Sequence, residues 1–337
     1  MLSSHYISII IILKYIYYVE YYHYYLYNLI RKLKLIFHHI KYCKTMANIS
    51  HVEIVKQGPE AVNKWRALNP NSILDLTGLT LPHFNLAGYD LTKADLMDAD
   101  LRFASLKGSC LMGAKLIRAN LIGANLEEAN LISADLTDVN LSEANLEKAI
   151  LRHANLTDAT MRKTRLVNAD LMNCVLFRCK LSEGILRGAN LKDADFTTGK
   201  LRGADLREVN ASSANFSGAD LTNANLKQAC LVRANFHHAK LIGANLCAAN
   251  LHEAFLVEAD LSGANLSSAI LKHVHSSEAS YSRAQLQHTD LTGANLEKAN
   301  LIGVNLSNSR IEGANLKDAR MSIIQKIKLW SFFFFQP

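Results

Sequence analysis

The chain repeats an apolar residue at every fifth position over most of its length. In the frame from Leu76 to Met321 there are 50 positions, and only Ala211, Ser276 and Tyr281 are not Leu, Ile, Met or Phe. In a helix, at about 100° per residue, this spacing would scatter the leucines around the axis. In a strand it would alternate them between the two faces. The pattern therefore predicts a chain that turns a corner once per five residues, with the apolar residue inside.

The other positions of the repeat have their own preferences. Two places before the leucine, 34 of 46 positions are Ala, and the rest are small or β-branched, including Cys174 and Cys179. We expect this small side chain to share a narrow, close-packed interior with the leucine. Asn or Asp lies between the two, and we expect it at the corner, where a short polar side chain can bond to the backbone. Gly recurs two places after the leucine, as at Gly123, where the chain turns with the side chain outside.

Three aromatic residues indicate how many repeats make one coil. Phe196, Phe216 and Phe236 are the only Phe residues in the every-fifth frame, and they are 20 residues apart. Coils of four repeats would stack these rings directly, so we take them as structural markers of the core. The frame would then form about twelve coils, paired with one another about 4.8 Å apart as in a parallel sheet.

The A-(D/N)-L-x-x tandem over residues 76–321 resembles the pentapeptide-repeat family. The resemblance implies an all-β solenoid, a right-handed quadrilateral parallel β-helix. The preceding stretch, HVEIVKQGPEAVNKWRALNP, is similar to a segment that often introduces these arrays in bacterial members. We therefore expect residues 46–75 to form a short helical N-terminal cap on the solenoid.

The residues of the expected cap indicate helix by themselves. Ser50 and Glu53 form a capping-box pattern, and Pro59 follows a glycine at a second helix start. Asn69 followed by a proline ends the helix. An apolar stripe should cover the open first coil, since a solenoid end needs capping; an alternative is that it binds a ligand. Its residues are Val62, Trp65 and Leu68.

Both ends of the chain differ from the repeat. Residues 1–45 form a low-complexity leader that holds ten of the twelve tyrosines. It is interpreted as an over-extended gene start with translation from Met46, as a membrane anchor, or as an export signal; Lys14 and Glu20 interrupt its apolar run. We expect a cytoplasmic protein, or a membrane-associated one if the leader is made. Residues 322–337 form a hydrophobic tail, which would cap the last coil, make a homodimer through Trp330 and the Phe run, or be a frameshifted end.

The formal net charge of +7 is concentrated in the leader. The first 45 residues carry six Lys or Arg and one Glu, which leaves 31 basic and 29 acidic residues in the rest of the chain. If the coils are four-sided, a group of basic residues meets on adjoining sides of the middle coils. This basic patch would bind phosphate or an acidic partner, or would be an ordinary solvated surface. It comprises Arg162, Lys163, Arg165, Lys180, Arg187, Lys200, Arg202 and Arg207. Another side is acidic, with Asp95, Asp98, Asp135, Asp138, Asp158, Asp195, Glu258 and Glu278.

Neither a metal site nor catalysis is predicted. The six cysteines form no close cluster of the kind that zinc prefers, and their spacing suits a reducing compartment. No phosphate loop, nucleophile elbow or metal-binding helix occurs. We expect no cofactor, and a solenoid is expected to lack a deep pocket that excludes water.

One coil, residues 273–290, departs most from the pattern. Ser276 and Tyr281 replace inward leucines, and His273, His275 and His288 gather in its sequence. One interpretation is a tolerated defect in which Tyr281 fills the space left by Ser276. The other is a local bulge that shapes a partner site.

Three functions are weighed. The first is a non-enzymatic, rod-like scaffold for protein–protein interaction, whose outward positions face a protein partner of unknown identity. The second follows from the resemblance: some members resemble the DNA duplex, bind type II topoisomerases such as gyrase and protect them from quinolones. That mechanism needs an extended negative surface, whereas this array is nearly neutral. The third is a membrane-associated or exported rod, which depends on residues 1–45. Nucleic acid is not an expected partner.

Overall fold

The computed structural model describes residues 48–326, and residues 1–47 and 327–337 lie outside the described residues. The predictions for the leader and for most of the tail, including Trp330, therefore concern segments outside this range. Within residues 48–326, no helix is long and apolar enough to cross a membrane.

The five-residue repeat forms the coils of a parallel β-helix. Parallel bridges of single residues join each Asn/Asp position to the equivalent position 20 residues later. They run from Asp75↔Asp95 to Asn300↔Arg320. Four repeats complete one coil, so the prediction of a four-sided, 20-residue coil is confirmed.

The three phenylalanines stack along the axis inside the helix. The ring centroids of Phe196 and Phe216 are 5.0 Å apart, and those of Phe216 and Phe236 are also 5.0 Å apart. The planes differ by only 11° and 6°. All three side chains are fully buried. Direct stacking follows from the 20-residue coil, because equivalent positions repeat at the sheet spacing.

The leucine and the small residue of each repeat fill the interior, as predicted. Ala124 and Leu126, for example, are both fully buried. A larger residue at the small position lies beside a smaller one in the next coil. A Cβ added to Gly199 would lie 3.4 Å from the Sγ atom of Cys179. The larger Cys179 is thus matched by a glycine in the next coil.

All five backbone N–H groups of one repeat are hydrogen-bonded, as residues 136–140 show. The N–H groups of residues 136 and 138 donate to carbonyls of the next coil, at 2.7 and 2.9 Å. Residue 140 donates to the previous coil, and residue 139 closes the turn onto Leu136. The remaining N–H, of Thr137, donates to Oδ1 of Asp135 at 3.1 Å. The Asn/Asp position therefore supplies an acceptor that the backbone lacks.

This arrangement corrects one expectation about the corner. The Asn/Asp residue lies at the bridge, before the leucine, and its side chain spans the start of the turn. The corner itself is two places after the leucine, where φ is positive: Gly123 has φ 63° and Asp138 has φ 56°. A turn with positive φ only at its third residue is type II, which favours Gly or Asn there.

Two helices precede the first coil. Helix α1 spans Ile49–Lys56 and helix α2 spans Pro59–Leu68. Proline begins α2 at its first turn, as predicted. The predicted capping box was wrong, because Oδ1 of Asn48 accepts a hydrogen bond from the Ser50 N–H and makes Asn48 the N-cap. The N-cap of α1 therefore lies two residues earlier than the capping-box pattern indicated.

The helices pack against the open end of the solenoid. Val62 is fully buried and Trp65 is partly buried against the core. The Arg66 guanidinium donates to the carbonyls of Asp90 and Thr92, at 2.7 and 2.6 Å. Leu68, however, is 73% exposed, so its assignment to the apolar stripe was wrong. The last turn of α2 leaves the surface that its earlier residues contact.

The described end of the tail contacts the last coil. Residues 323–326 are helical, and Nε2 of Gln325 donates to the carbonyls of Leu301 and Val304, at 2.7 and 2.9 Å. The Leu301 carbonyl also accepts from the Val304 N–H at 3.2 Å, whereas the Val304 carbonyl belongs to the small position, whose carbonyl elsewhere accepts a backbone N–H of the next coil, as Ala299 does from Arg320. Gln325 therefore gives the Val304 carbonyl the donor that a further coil would supply.

Candidate functional site

The β-helix has four sides, and each contains one column of bridge residues. Side 1 contains Lys180 and Lys200, side 2 contains Arg165 and Asp205, side 3 contains Asp170 and Cys230, and side 4 contains Asn235 and Phe255. The 20-residue register places the eight residues of the basic patch on sides 1 and 2. Most of their charges are offset by neighbouring carboxylates.

Six of the eight basic residues make ion pairs within 4 Å. Partners lie mostly 18 to 21 residues away along the chain, that is, one coil above or below. Exposed pairs of this kind contribute little to stability, but they remove net charge from the surface. The pairs are Arg162 and Lys163 with Glu183 (3.1 and 3.8 Å), Arg165 with Glu147 (2.8 Å), Arg187 with Asp205 (3.9 Å), Arg202 with Asp220 (3.7 Å) and Arg207 with Asp205 (2.6 Å).

Lys180 and Lys200 differ from the other six. They are bridge partners in successive coils of side 1, so their side chains leave the backbone as direct neighbours. Neither makes an ion pair within 4 Å among residues 48–326, and Lys200 is exposed. Like charges directly opposite each other in a sheet are unfavourable. This pair is the part of the patch where positive charge is least compensated.

Five of the eight predicted acidic residues of side 4 contact a basic residue of an adjacent coil. The predicted members include Asp135, Asp138 and Asp195, which make no ion pair within 4 Å in the described range. The other carboxylates each contact a base one coil away. These contacts are Asp95 with Lys115 (3.9 Å), Asp98 with Arg118 (2.8 Å), Asp158 with Arg178, Glu258 with His238 (3.3 Å) and Glu278 with Lys298 (3.4 Å).

Hydrogen bonds donated by arginine keep one carboxylate of side 2 and one of side 4 ionised. The side-chain hydrogen bond from Arg207 holds the pKa of Asp205 below its usual value. The hydrogen bond from Arg178 does the same for the pKa of Asp158. A carboxylate held in its charged form is poorly suited to act as a general acid.

The cysteines divide into buried and partly exposed groups. Cys174 and Cys179 are buried, and burial raises the pKa of each thiol to about 12. The three outward cysteines are Cys110, Cys230 and Cys247, which are partly exposed. All five cysteines within residues 48–326 are free thiols, and Cys43 lies outside this range. The two buried thiols remain protonated at neutral pH and are therefore inert as nucleophiles.

The irregular coil keeps the register of its neighbours. Oγ of Ser276 lies 2.6 Å from the hydroxyl of Tyr281, and both residues are fully buried. The tolerated-defect interpretation therefore describes this coil. The three histidines do not gather: His273 is on side 3, His275 on side 4 and His288 on side 2. His275 stacks instead on Phe255, with centroids 4.9 Å apart.

A histidine–carboxylate cluster was missed by the sequence analysis. His237, His238 and Glu258 on side 4 bring one ligand atom each within 4.8 Å of one another. Neither cysteine spacing nor a metal-binding helix motif indicates this cluster, because its residues come from two coils. The signal that would have found it is the 20-residue register, which places Glu258 beside His238.

Comparison with known proteins agrees with the architecture. The family model for pentapeptide repeats matches in several copies, and no curated protein matches the sequence. The ranges leave out residues 268–281, which include Ser276 and Tyr281. They are 75–116, 109–147, 140–176, 174–210, 189–228, 229–267 and 282–318.

Solved structures of pentapeptide repeat proteins are similar to this chain. HetL, involved in heterocyst differentiation regulation in the cyanobacterium Nostoc sp. strain PCC 7120, is 32% identical over 77% of this chain and 95% of its own, with a TM-score of 0.29. A thylakoid-lumen protein of Arabidopsis thaliana is 34% identical over 39% of this chain and 77% of its own, with a TM-score of 0.17. QnrB1, a plasmid-mediated fluoroquinolone resistance protein, is 17% identical over 66% of this chain and 96% of its own, with a TM-score of 0.25. The chain belongs to the pentapeptide repeat family, whose fold is the right-handed quadrilateral β-helix.

Proposed function

We propose that the protein is a non-enzymatic, rod-like scaffold that binds another protein through its outward side chains. The inward positions are restricted to leucine-like and small residues by the narrow interior. Within residues 48–326, every buried side-chain nitrogen or oxygen has a hydrogen-bond partner, so the interior offers no group to a ligand. The outward positions alone are free to carry specificity.

The least compensated pair of the patch, Lys180 and Lys200, supports a location for the partner. Lys180 and Lys200 lie side by side, within a patch whose other basic residues already contact carboxylates. An acidic group of a partner would neutralise both ammonium groups at once, which makes the pair the preferred contact on sides 1 and 2. The proposed partner is therefore a protein with an acidic surface.

The chemical groups of the array fit binding better than catalysis. The buried thiols of Cys174 and Cys179 remain protonated. The carboxylates of Asp158 and Asp205 are held as anions by arginines. A general base or nucleophile needs a pKa near the working pH and access to substrate, and these groups lack one or both.

The test is chemical cross-linking in lysate followed by affinity capture and quantitative mass spectrometry. The Lys180→Glu/Lys200→Glu protein is compared with a Lys192→Glu/Lys227→Glu control, which reverses two lysines on sides 3 and 2 without breaking an ion pair. We expect partners retained by the parent and the control to be lost from the Lys180/Lys200 variant. An identical partner set in all three proteins would remove this surface from the proposal. Capture of no protein by the parent would remove the scaffold function itself.

Binding to DNA gyrase as a duplex mimic is the alternative implied by the family. It requires a continuous acidic surface, and five carboxylates on side 4 contact a base in the adjacent coil. A supercoiling assay with a quinolone tests it directly. Inhibition or drug protection at micromolar protein would favour this alternative over the scaffold proposal; unchanged supercoiling would exclude it.

A further inference from the structure

We propose that side 4 carries a binding site for a divalent transition-metal ion of the zinc class, formed by His237, His238 and Glu258. One ligand atom from each residue lies within 4.8 Å of the other two. Nδ1 of His238 is 3.3 Å from Oε2 of Glu258, and the two imidazole centroids are 3.9 Å apart. This site goes beyond the proposed scaffold function and does not depend on it.

The register of the helix holds two of the ligands one above the other. Glu258 follows His238 by 20 residues, so the two occupy the same corner of successive coils. Both have left-handed backbone, with φ of 55° and 56°. The N–H of His238 donates to the carbonyl of Val257 at 3.1 Å, which joins the two turns directly. The spacing of this ligand pair is thus set by the ladder rather than by a mobile loop.

The backbone of the third ligand is held equally firmly. The N–H of His237 donates to Oδ1 of Asn235 at 3.0 Å. Its carbonyl accepts a hydrogen bond from the Ser217 hydroxyl at 3.2 Å. Neither bond uses the imidazole, whose nitrogens remain available for coordination. A rigid backbone with free ligand atoms is the arrangement that lowers the ordering cost of binding.

The donor set favours zinc-class ions over calcium or magnesium. Two imidazole nitrogens and one carboxylate suit Zn²⁺, Co²⁺, Ni²⁺ or Cu²⁺, whereas Ca²⁺ and Mg²⁺ prefer oxygen ligands. Ligands bound 2.0–2.1 Å from a tetrahedral ion are about 3.3 Å apart. His238 and Glu258 already have this separation. Their side chains are 53% and 47% exposed, so rotation to admit the ion meets little packing resistance.

An ordinary ion pair between His238 and Glu258 is the competing account. It would engage two of the three groups and would leave zinc without affinity for this surface. A second group on side 3, formed by His252, His273 and Glu253, has the same residue types but a different geometry. The ring centroids of His252 and His273 are 5.9 Å apart, and Nδ1 of His252 lies 3.2 Å from the Lys272 carbonyl oxygen. Within residues 48–326, only the side 4 group brings three His, Cys, Asp or Glu ligand atoms within 4.8 Å of one another.

The experiment is titration of the full chain with Zn²⁺ in competition with a chromophoric chelator. Glu258→Gln, His237→Ser and His238→Asn each remove one ligand, and the last two introduce residues found at equivalent turn positions in Ser217 and Asn223. Circular dichroism checks that the fold is kept. The matched control is His153→Asn, at an exposed left-handed position of side 3.

We expect each ligand variant to lose one zinc equivalent or to weaken it about tenfold or more, whereas His153→Asn binds like the parent. Because His38 and His39 in the leader also form an adjacent pair, the series is repeated in a chain with both replaced by alanine. A zinc isotherm identical in the parent and all three ligand variants, in both chains, would overturn the site. A loss of equal size in the His153→Asn control would also overturn it.

Discussion

Oγ of Ser276 and the hydroxyl of Tyr281 lie 2.6 Å apart in the closed interior of the β-helix. The two residues occupy successive inward positions at which leucine is the rule. Tyrosine is larger than leucine and serine is smaller, so the pair keeps the volume nearly constant. The hydrogen bond satisfies both polar groups, and the coil closes without a change of register.

Tyr281→Phe should destabilise the protein by about 1–3 kcal/mol, because it leaves the Ser276 hydroxyl buried without a partner. The Ser276→Ala/Tyr281→Phe double variant should lose less than the two single variants added together. Urea unfolding followed by circular dichroism measures the free energies that form this double-mutant cycle. Additive losses would show that the hydrogen bond contributes no coupling.

Phe216→Leu should cost about 1–2 kcal/mol, although leucine is the usual residue at this position, because it removes two stacking contacts. Phe216→Ala should cost about 3–5 kcal/mol, because it also leaves a cavity. Replacing Leu226 by alanine gives the cavity cost without stacking. Urea unfolding again measures the free energy of unfolding of each variant. A Phe216→Leu protein as stable as the parent would mean that ring stacking adds nothing to the stability that burial provides.

Stability should fall as the pH rises above about 8.5, where thiols of the unfolded chain lose their protons. Burial raises the pKa of Cys174 and Cys179 to about 12 in the folded state. The folded state therefore binds more protons than the unfolded state between these values, and alkali favours unfolding. The slope is at most about 1.4 kcal/mol per pH unit for each thiol. Burial also raises the pKa of Tyr281, which adds to the effect at higher pH.

Cys174→Ala/Cys179→Ala should reduce this alkaline loss of stability. Alanine is the usual residue at the small inward position, so the replacement suits the interior. Urea midpoints are measured at several pH values between about 8 and 10.5. Cys247→Ala, at a partly exposed cysteine, is the control and should leave the slope unchanged. A slope that is the same in all three proteins would contradict the role of burial.

Gly263→Val should be less stable than Gly263→Asn by about 1 kcal/mol. The glycine has φ 68°, and a Cβ added there would have nothing within 4 Å, so only backbone strain distinguishes the variants. Asparagine tolerates the left-handed region, whereas a β-branched side chain does not. Equal urea midpoints for the two variants would show that this turn is not under such strain.

Arg66→Ala should loosen the helical cap, because the side chain donates to two carbonyls of the first coils. The expected loss is about 1.5–3 kcal/mol, the range for hydrogen bonds from a charged donor. Lys64→Ala removes an exposed charge from the same helix and should change little. Hydrogen exchange in helix α2 reports the loosening; equal protection in both variants would contradict it.

Features that recur in every repeat could be predicted from the amino-acid pattern. The inward positions follow from the fivefold spacing, and the three phenylalanines indicate the coil length because only a 20-residue coil stacks them. The N-cap of α1 and the contacts of the helical cap could not be predicted in the same way. Asn48 rather than Ser50 caps α1, since the choice depends on where the backbone leaves the helical conformation. Leu68 is exposed because α2 diverges from the coil that covers Val62.

The sequence by itself determined the solenoid, because an apolar residue at every fifth position can be buried only by a chain that turns at each repeat. Only the tertiary structure decided which outward charges compensate one another and which histidines meet a carboxylate. Those contacts join residues about 20 positions apart, and side-chain rotamers set their distances. The 20-residue register places Lys180 beside Lys200 and Glu258 beside His238, but only the structure shows that the second pair makes contact and that the first makes no ion pair within residues 48–326.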